Sequence, residues 1–334
     1  MSQPRVAVVG GSGAVGRTIL RLLKDRSFPA ASVTALASSR SAGTEVEGVV
    51  VEDIEQADLS QFDLALFSAG SGVSEEWAPK FVEAGAVVVD NSSYWRMDPE
   101  VPLVVPEVNP DAIEGHSGIV ANPNCSTMQA MVVLKPVLDR FGIDRVIFST
   151  YQAVSGTGVK AIAELEGQSR SVLAGERPAP AAVYPHQIAF NVIPQVESFK
   201  DGDDYTTEER KMMAETRKIL ALPELKVTAT CARVPVMNGH SESVNLQTTE
   251  EATPDQLREL LADAPGVIVV DDPSNGVYPL AIDGSGRDEV LVGRIRVDES
   301  APRSLNMWIV GDNLRKGAAT NAVQVAELLV QRGL

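Results

Sequence analysis

The chain has little of the chemistry that most partners demand. Among 334 residues there are two cysteines and three histidines, aromatic side chains make up 5%, and 29 basic groups face 45 acidic ones for a formal charge of −16. Two cysteines set far apart in unlike contexts make neither a disulfide framework nor a metal cluster, and they suit a reducing cytosol. No spacing of His, Cys, Asp and Glu suggests a metal site. Nucleic acid and anionic membranes need a basic footprint that this charge denies, so neither is expected as a partner. No apolar run approaches the ~20 residues of a membrane span, and no basic and apolar leader precedes the first strand, which points to a cytoplasmic protein. Small anions remain compatible, provided that individual Arg and Lys side chains are placed for them. The length exceeds the roughly 250–300 residues at which one hydrophobic core stops growing, so two domains are expected.

What is present begins with a buried strand, Arg5-Val6-Ala7-Val8-Val9, running straight into Gly10-Gly11-Ser12-Gly13-Ala14-Val15-Gly16 and a helical segment. Strand, glycine turn and helix in that order let backbone N–H groups approach a pyrophosphate at a helix N-terminus, although the spacing departs from strict G-x-G-x-x-G. The second strand ends in Ser38-Ser39-Arg40-Ser41-Ala42-Gly43. An NAD site would place an acidic residue there for the ribose hydroxyl; hydroxyls and an arginine favour NADP. A solvated Ser/Arg loop is the other reading.

Further apolar runs at Leu64–Ser68, Ala86–Asp90, Leu103–Val105 and Gly118–Ala121, alternating with helix-compatible segments such as Glu75–Ala84, predict a buried parallel sheet. The loops after three of these strands, Ser68–Gly72, Asn91–Arg96 and Asn122–Cys125, can converge on one cleft, since ligands in such sheets bind beyond the strands' carboxyl ends.

Cys125 stands in Asn122-Pro123-Asn124-Cys125-Ser126-Thr127, and Met128, Met131, Val132, Leu134 and Leu138 follow at helical spacing. The thiol is therefore expected at the N-terminus of an amphipathic helix, where free N–H groups favour a thiolate. Cys231, within the β-rich run Lys226–Val234, reads as an ordinary buried thiol.

Beyond this helix the pattern changes to long strands at Arg145–Ala153, Lys226–Val236, Glu289–Asp298 and Ser304–Val310, with the period-two alternation of a largely antiparallel sheet. Thr206-x-x-Glu209 and Thr253-Pro254-Asp255-Gln256 read as capping boxes. The Pro-rich stretch from Gly175 to Tyr205 reads as a surface or subunit-contact excursion. The segment Gly317–Val330 is helical by spacing and is expected to return to the nucleotide domain. The fold class is thus α/β: a Rossmann-type domain over 1–125 with the helix of 313–334, and an α+β domain over 126–312.

Several motifs in one order resemble the aspartate-semialdehyde dehydrogenase family over essentially the whole chain. They are the Gly10–Gly16 turn, Ser38–Gly43, Asn122–Cys125, Gln152-Ala153-Val154-Ser155-Gly156, Glu208-Glu209-Arg210-Lys211, Arg233-Val234-Pro235 and Gly239-His240. The lack of an insertion in the second domain is similar to the shorter bacterial branch. The resemblance implies NADPH-dependent reduction of L-aspartyl 4-phosphate to L-aspartate 4-semialdehyde and phosphate, in the route to lysine, threonine and methionine, by a homodimer or a dimer of dimers, and it assigns catalysis and dimerisation to the domain over 126–312. It implies Cys125 as nucleophile with Asn124 beside it, His240 as acid/base partner and Gln152 as the residue orienting the bound intermediate. It further implies Arg233 for the substrate carboxylate, Glu208 for its ammonium, and Arg96 with Lys211 for phosphate. For NADP it implies the glycine turn with Ser38, Ser39, Arg40, Ser71, Ser155, Gly156 and Asn313.

His116 and His186 lie in loops with no nucleophile or carboxylate nearby in sequence, whereas His240 follows a glycine turn after the strand carrying Arg233. Cys/His logic alone leaves N-acetyl-glutamyl-phosphate reductase open, since the same thioester and hydride chemistry serves a longer acyl phosphate. Gln152, Glu208–Lys211 and Arg233 together favour a free amino-acid substrate. An inactive nucleotide-binding homologue is the remaining alternative, and retention of Cys125, Gln152, Arg233 and His240 speaks against it.

Overall fold

Short, wholly apolar strands separated by glycine turns can only be satisfied inside a covered parallel sheet, and the computed structural model, which describes residues 3–333, builds one. The expectation placed on the first residues falls partly on Met1 and Ser2, and the returning segment ends on Leu334, all outside the described residues. The chain divides into two compact units: residues up to Asn124 together with those from Gly317 on, and residues Cys125–Lys316.

The first unit is a seven-stranded sheet of β1 (Arg5–Val9), β2 (Ser32–Ala37), β3 (Glu45–Val46), β4 (Val49–Asp53), β5 (Leu64–Phe67), β6 (Val87–Asp90) and β7 (Ile119–Ala121), in the order β3-β4-β2-β1-β5-β6-β7. All neighbours are parallel except the β3–β4 hairpin. Helix α1 (Ala14–Asp25) and the C-terminal helix Thr320–Arg332 share one core with the sheet, in which Ile19, Leu22 and Leu23 meet Ala322, Val325 and Leu329. Helix α2 (Ser71–Glu83) follows β5.

Leu103–Val105 does not form the strand that its composition suggests. Only an isolated bridge joins Leu103 to Ala121, because Pro102 and Pro106 remove ladder donors and the Val105 N–H is taken by Asn109 Oδ1 at 2.9 Å.

The second unit holds a mixed sheet of β8 (Arg145–Gln152), β9 (Lys226–Arg233), β10 (His240–Gln247), β11 (Val267–Val269), β12 (Val290–Val297) and β13 (Ser304–Gly311), in the order β11-β12-β13-β10-β8-β9. The three central pairings are antiparallel and the two outer ones parallel. Side chains alternate across it: Phe148, Gln152, Arg233, His240, Val244 and Ile309 are buried on one face, while on the other Tyr151 is exposed and packs against Trp308, ring centroids 5.3 Å apart.

The buried face carries α3 (Cys125–Phe141) and α5 (Thr207–Ile219), with α6 (Pro254–Ala262) packed on α3; α4 (Val159–Leu173) joins β8 to the Pro-rich stretch. Helix α3 is not amphipathic as expected: every residue from Ser126 to Leu134 is buried, with the sheet, α5 and α6 all packed against the helix. The capping boxes at Thr206 and Thr253 are both formed. The Pro-rich stretch is only partly a surface excursion, because Ile188, Ala189 and Ile193 join Val154, Ala161 and Leu165 in a small core. Among the described residues, no helix is long and apolar enough to cross a membrane.

Candidate active site

In the first unit the turn after β1 is closed by its own backbone. Gly10 takes a positive φ of 82° and donates to Leu36 O at 2.8 Å, and Gly13 donates to Gly10 O at 3.0 Å. A Cβ on Gly10 would meet Ser68 O at 2.6 Å and one on Gly16 would meet Gly10 O at 2.2 Å, so the turn, the β5 loop and α1 pack at glycine distance. Gly13 caps α1 without a side-chain hydrogen bond, which leaves the first-turn N–H groups of Ala14, Val15 and Gly16 with no capping side chain. This backbone cradle lies where strand order reverses around β1, and it fits the pyrophosphate of a dinucleotide. Ser12 Oγ reaches Ser41 Oγ at 3.3 Å, tying the turn to the loop on which Ser38, Ser39 and Arg40 are all exposed. Ser41, part of the Ser38–Gly43 run but not of the expected cofactor set, is the residue of that loop in contact with the glycine turn.

The three loops of this unit converge as expected. Asn91 Nδ2 donates to Phe67 O at 2.7 Å, Asn122 Nδ2 to Asn91 Oδ1 at 2.6 Å, and Ser71 Oγ lies 3.2 Å from Ser93 Oγ. Arg96 is buried, donating from Nε to Asn122 O at 2.9 Å and from Nη2 to Asn91 O at 2.8 Å. Asn124 is buried at the end of this unit. From the returning segment, Asn321 Nδ2 donates to Asn122 Oδ1 at 2.6 Å and braces the same loop.

The second unit brings together Gln152, Arg233 and His240, which lie side by side at one end of the sheet because Gln152 pairs with Arg233 and Ser241 with Tyr151. Cys125 is the first residue of α3 and half-buried; Gln129, one turn on, donates to His240 O at 3.4 Å. His240 is fully buried. Its Nδ1 accepts the Ala153 N–H at 3.1 Å, whereas Nε2 makes no hydrogen bond among the described residues. Burial, and secondarily the Arg233 charge, hold its pKa well below the ordinary imidazole value, so the ring is neutral. With the lone pair on Nδ1 engaged, the proton sits on Nε2, which is presented as a donor.

Arg233 is buried; Nη1 donates to Ala153 O at 2.7 Å, and Nε has no hydrogen-bond partner among the described residues. An orphaned guanidinium N–H at a buried position is suited to an anionic ligand. Tyr184, missed in the sequence, places its ring 5.9 Å from the guanidinium carbon and is held by Glu164, which accepts the Ala182 and Val183 N–H groups at 2.8 Å each. Nothing local marks it, since it comes from the aperiodic stretch. Gln152 Nε2 donates to Glu208 Oε1 at 3.0 Å, and Lys211 Nζ lies 3.8 Å from Glu208 Oε2 and pairs with Glu197. Ser155 Oγ and Asn313 bond each other, and Asn313 Oδ1 accepts the Gly239 N–H at 3.0 Å, shaping the turn that precedes His240. Cys231 is fully buried, and burial pushes its thiol pKa far up.

The chain matches the family model described as semialdehyde dehydrogenase, NAD binding domain, over residues 5–116, and the semialdehyde dehydrogenase dimerisation domain over residues 134–316. It is 53% identical over 337 residues to the aspartate-semialdehyde dehydrogenase of Aquifex aeolicus, covering 99% of each chain. Aspartate semialdehyde dehydrogenase II of Vibrio cholerae, solved in complex with ASA, is similar with a TM-score of 0.96 and 46% identity over 100% of both chains. The Candida albicans aspartate semialdehyde dehydrogenase solved with NADP gives a TM-score of 0.75 at 27% identity, over 98% of this chain and 99% of that one. This chain belongs to the aspartate-semialdehyde dehydrogenase family.

Proposed function

We propose that the protein reduces L-aspartyl 4-phosphate to L-aspartate 4-semialdehyde with NADPH, releasing inorganic phosphate, in the biosynthesis of lysine, threonine and methionine. The observation that carries the reading is the grouping of His240, Arg233 and Gln152 at one sheet end, with α3 and its leading Cys125 anchored to the His240 strand, β10, through Gln129. Cys125 sulfur attacks the acyl carbon; a C–S bond forms, the C–O bond to phosphate breaks, and phosphate leaves. NADPH, when bound, supplies the hydride. The resulting tetrahedral oxyanion collapses to aldehyde and returns the electron pair to sulfur as thiolate. Nε2–H of His240 donates to the developing oxyanion, and the reductive direction balances without a net proton transfer at that atom.

Arg233 grips the α-carboxylate with its unpaired edge, Glu208 receives the ammonium, and Gln152, fixed by Glu208, orients the acyl group. Arg96 and Lys211 serve the phosphate. Gly10–Gly16, Ser38, Ser39, Arg40, Ser71, Ser155, Gly156 and Asn313 serve NADP, with Arg40 at the 2′-phosphate. The protein works in the cytoplasm as a homodimer, or a dimer of dimers.

The deciding experiment is phosphate-dependent NADP reduction by aspartate semialdehyde. Turnover that needs phosphate and disappears in Cys125→Ala is expected, and phosphate-independent turnover would undo the reading. Comparison with N-acetyl-glutamyl phosphate as alternative substrate separates the nearest rival, which predicts the faster rate on that compound.

A further inference from the structure

Two residues along β10 from His240, on the same covered face, lies a carboxyl that the reaction does not use. Glu242 is fully buried, and so is Gln129, one turn below Cys125 on α3. Gln129 Nε2 donates to Glu242 Oε1 at 2.7 Å and makes a longer contact of 3.4 Å to His240 O. The other two oxygens of this pair, Gln129 Oε1 and Glu242 Oε2, have no hydrogen-bond partner among the described residues. Both are acceptors if Glu242 is ionised, so the charged form would bury two unmet acceptors and an anion together. One proton on Glu242 Oε2 converts them into a donor and an acceptor.

The amide has little freedom to turn away. Its carbonyl end lies over Gly311, the register partner of His240, where even a Cβ would come within 2.5 Å of Gln129 Oε1. The titratable groups acting on this region are Glu208 from α5 and Cys231 from β9, neither of which supplies a counter-cation. Beta strands β8 and β13 place Thr150 and Ile309 opposite Glu242.

We propose that Glu242 is carried as a neutral carboxylic acid joined to Gln129 in a reciprocal two-point acid–amide pair, and that this pair is the positioning device that holds Cys125 on α3 in register with His240. Burial, and the charge of Glu208, push the Glu242 carboxyl well above the usual carboxylate range, against the opposing pull of the Gln129 amide. The positioning arm rests on the assignment of Cys125 and His240 made above; the acid itself does not.

The test is an infrared difference spectrum of wild-type protein minus Glu242→Gln at pH 8, read with kinetics. A protonated-acid carbonyl band present in wild type and lost in the variant is expected; Asp90, which burial also pushes up, cancels in the difference. Glu242→Gln can still accept from Gln129 Nε2 and donate to its Oε1, so it should keep kcat within about threefold of wild type. Glu242→Ala and Gln129→Met, which sever the pair, should each lose at least about tenfold in kcat and in the rate of Cys125 alkylation, with KM for NADP unchanged. Absence of the band, or a Glu242→Gln that is as impaired or as poorly folded as Glu242→Ala, overturns the proposal. Because the band is read without turnover, it separates failure of the acid–amide pair from failure of the catalytic reading.

Discussion

A methyl group added to Gly156 would lie 3.2 Å from Nε2 of His240 and 3.1 Å from Nη1 of Arg233. Both side chains would have to give by a few tenths of an ångström, and both are buried. Gly156→Ala should therefore lower kcat/KM by about tenfold while leaving the melting temperature nearly unchanged. Equal activity in the variant would show that neither side chain needs its present position.

His240 should leave a signature in stability as well as in rate. Its folded pKa is depressed, so below roughly pH 6.5 the unfolded chain binds a proton that the folded ring refuses. The stability tied to this group is complete above that pH and is lost as pH falls. His240→Asn should flatten the acid limb of a denaturation profile and lower kcat by about 10² to 10³ through loss of the aligned donor. Near-normal kcat across the pH range would remove the ring from the chemistry.

The two thiols should separate cleanly. Cys125 is half-buried at a helix start, and Cys231 is sealed with its thiol pushed up by burial. Cys125→Ala should abolish turnover and leave NADP binding intact, and Cys231→Ser should remain active. Intact-mass analysis after alkylation should show one label, on Cys125; preferential modification of Cys231 would reverse the assignment.

Arg40 is exposed beside Ser38 and Ser39, with the Ser12–Ser41 contact linking their loop to the glycine turn. Arg40→Ala should weaken NADP by roughly 1.5–3 kcal/mol and leave NAD little altered. Titration with both cofactors decides, and equal losses would mean that Arg40 does not read the 2′-phosphate.

Arg233→Lys keeps a charge and discards the planar fork. The kcat/KM for aspartate semialdehyde should fall at least about tenfold, near 1.4 kcal/mol, while the phosphate KM moves far less. A selective rise in the phosphate KM would exchange the two anion assignments.

Much of this architecture is written locally. The Gly10–Gly16 turn, the two capping boxes and the helix starting at Cys125 each depend on a few adjacent residues, and each is readable from them. What escaped was decided elsewhere in the chain. Strand β10 reads as polar because Ser241, Glu242, Ser243, Asn245 and Gln247 fill it, yet it is the centre of the second sheet between β13 and β8. The short β3–β4 hairpin has too few residues for a periodic signal. Tyr184, Ser41 and the Gln129–Glu242 pair become meaningful through partners 29 to 113 residues away, and no spacing rule reaches that far.

The order of synthesis carries a consequence for how the protein matures. The first unit takes its last helix from beyond the second unit in sequence, and Ala322, Val325 and Leu329 of that helix complete the core begun by Ile19 and Leu22. A nascent chain therefore emerges from the ribosome with its dinucleotide-binding half unfinished and an apolar face uncovered until residues 320–332 arrive. A premature stop just after Lys316 would spare every residue proposed for acyl transfer except by aggregation. Such a truncated chain should bind a hydrophobic dye and be cleaved first within its N-terminal 124 residues, whereas cleavage confined to the remainder would mean that the first unit closes without its last helix.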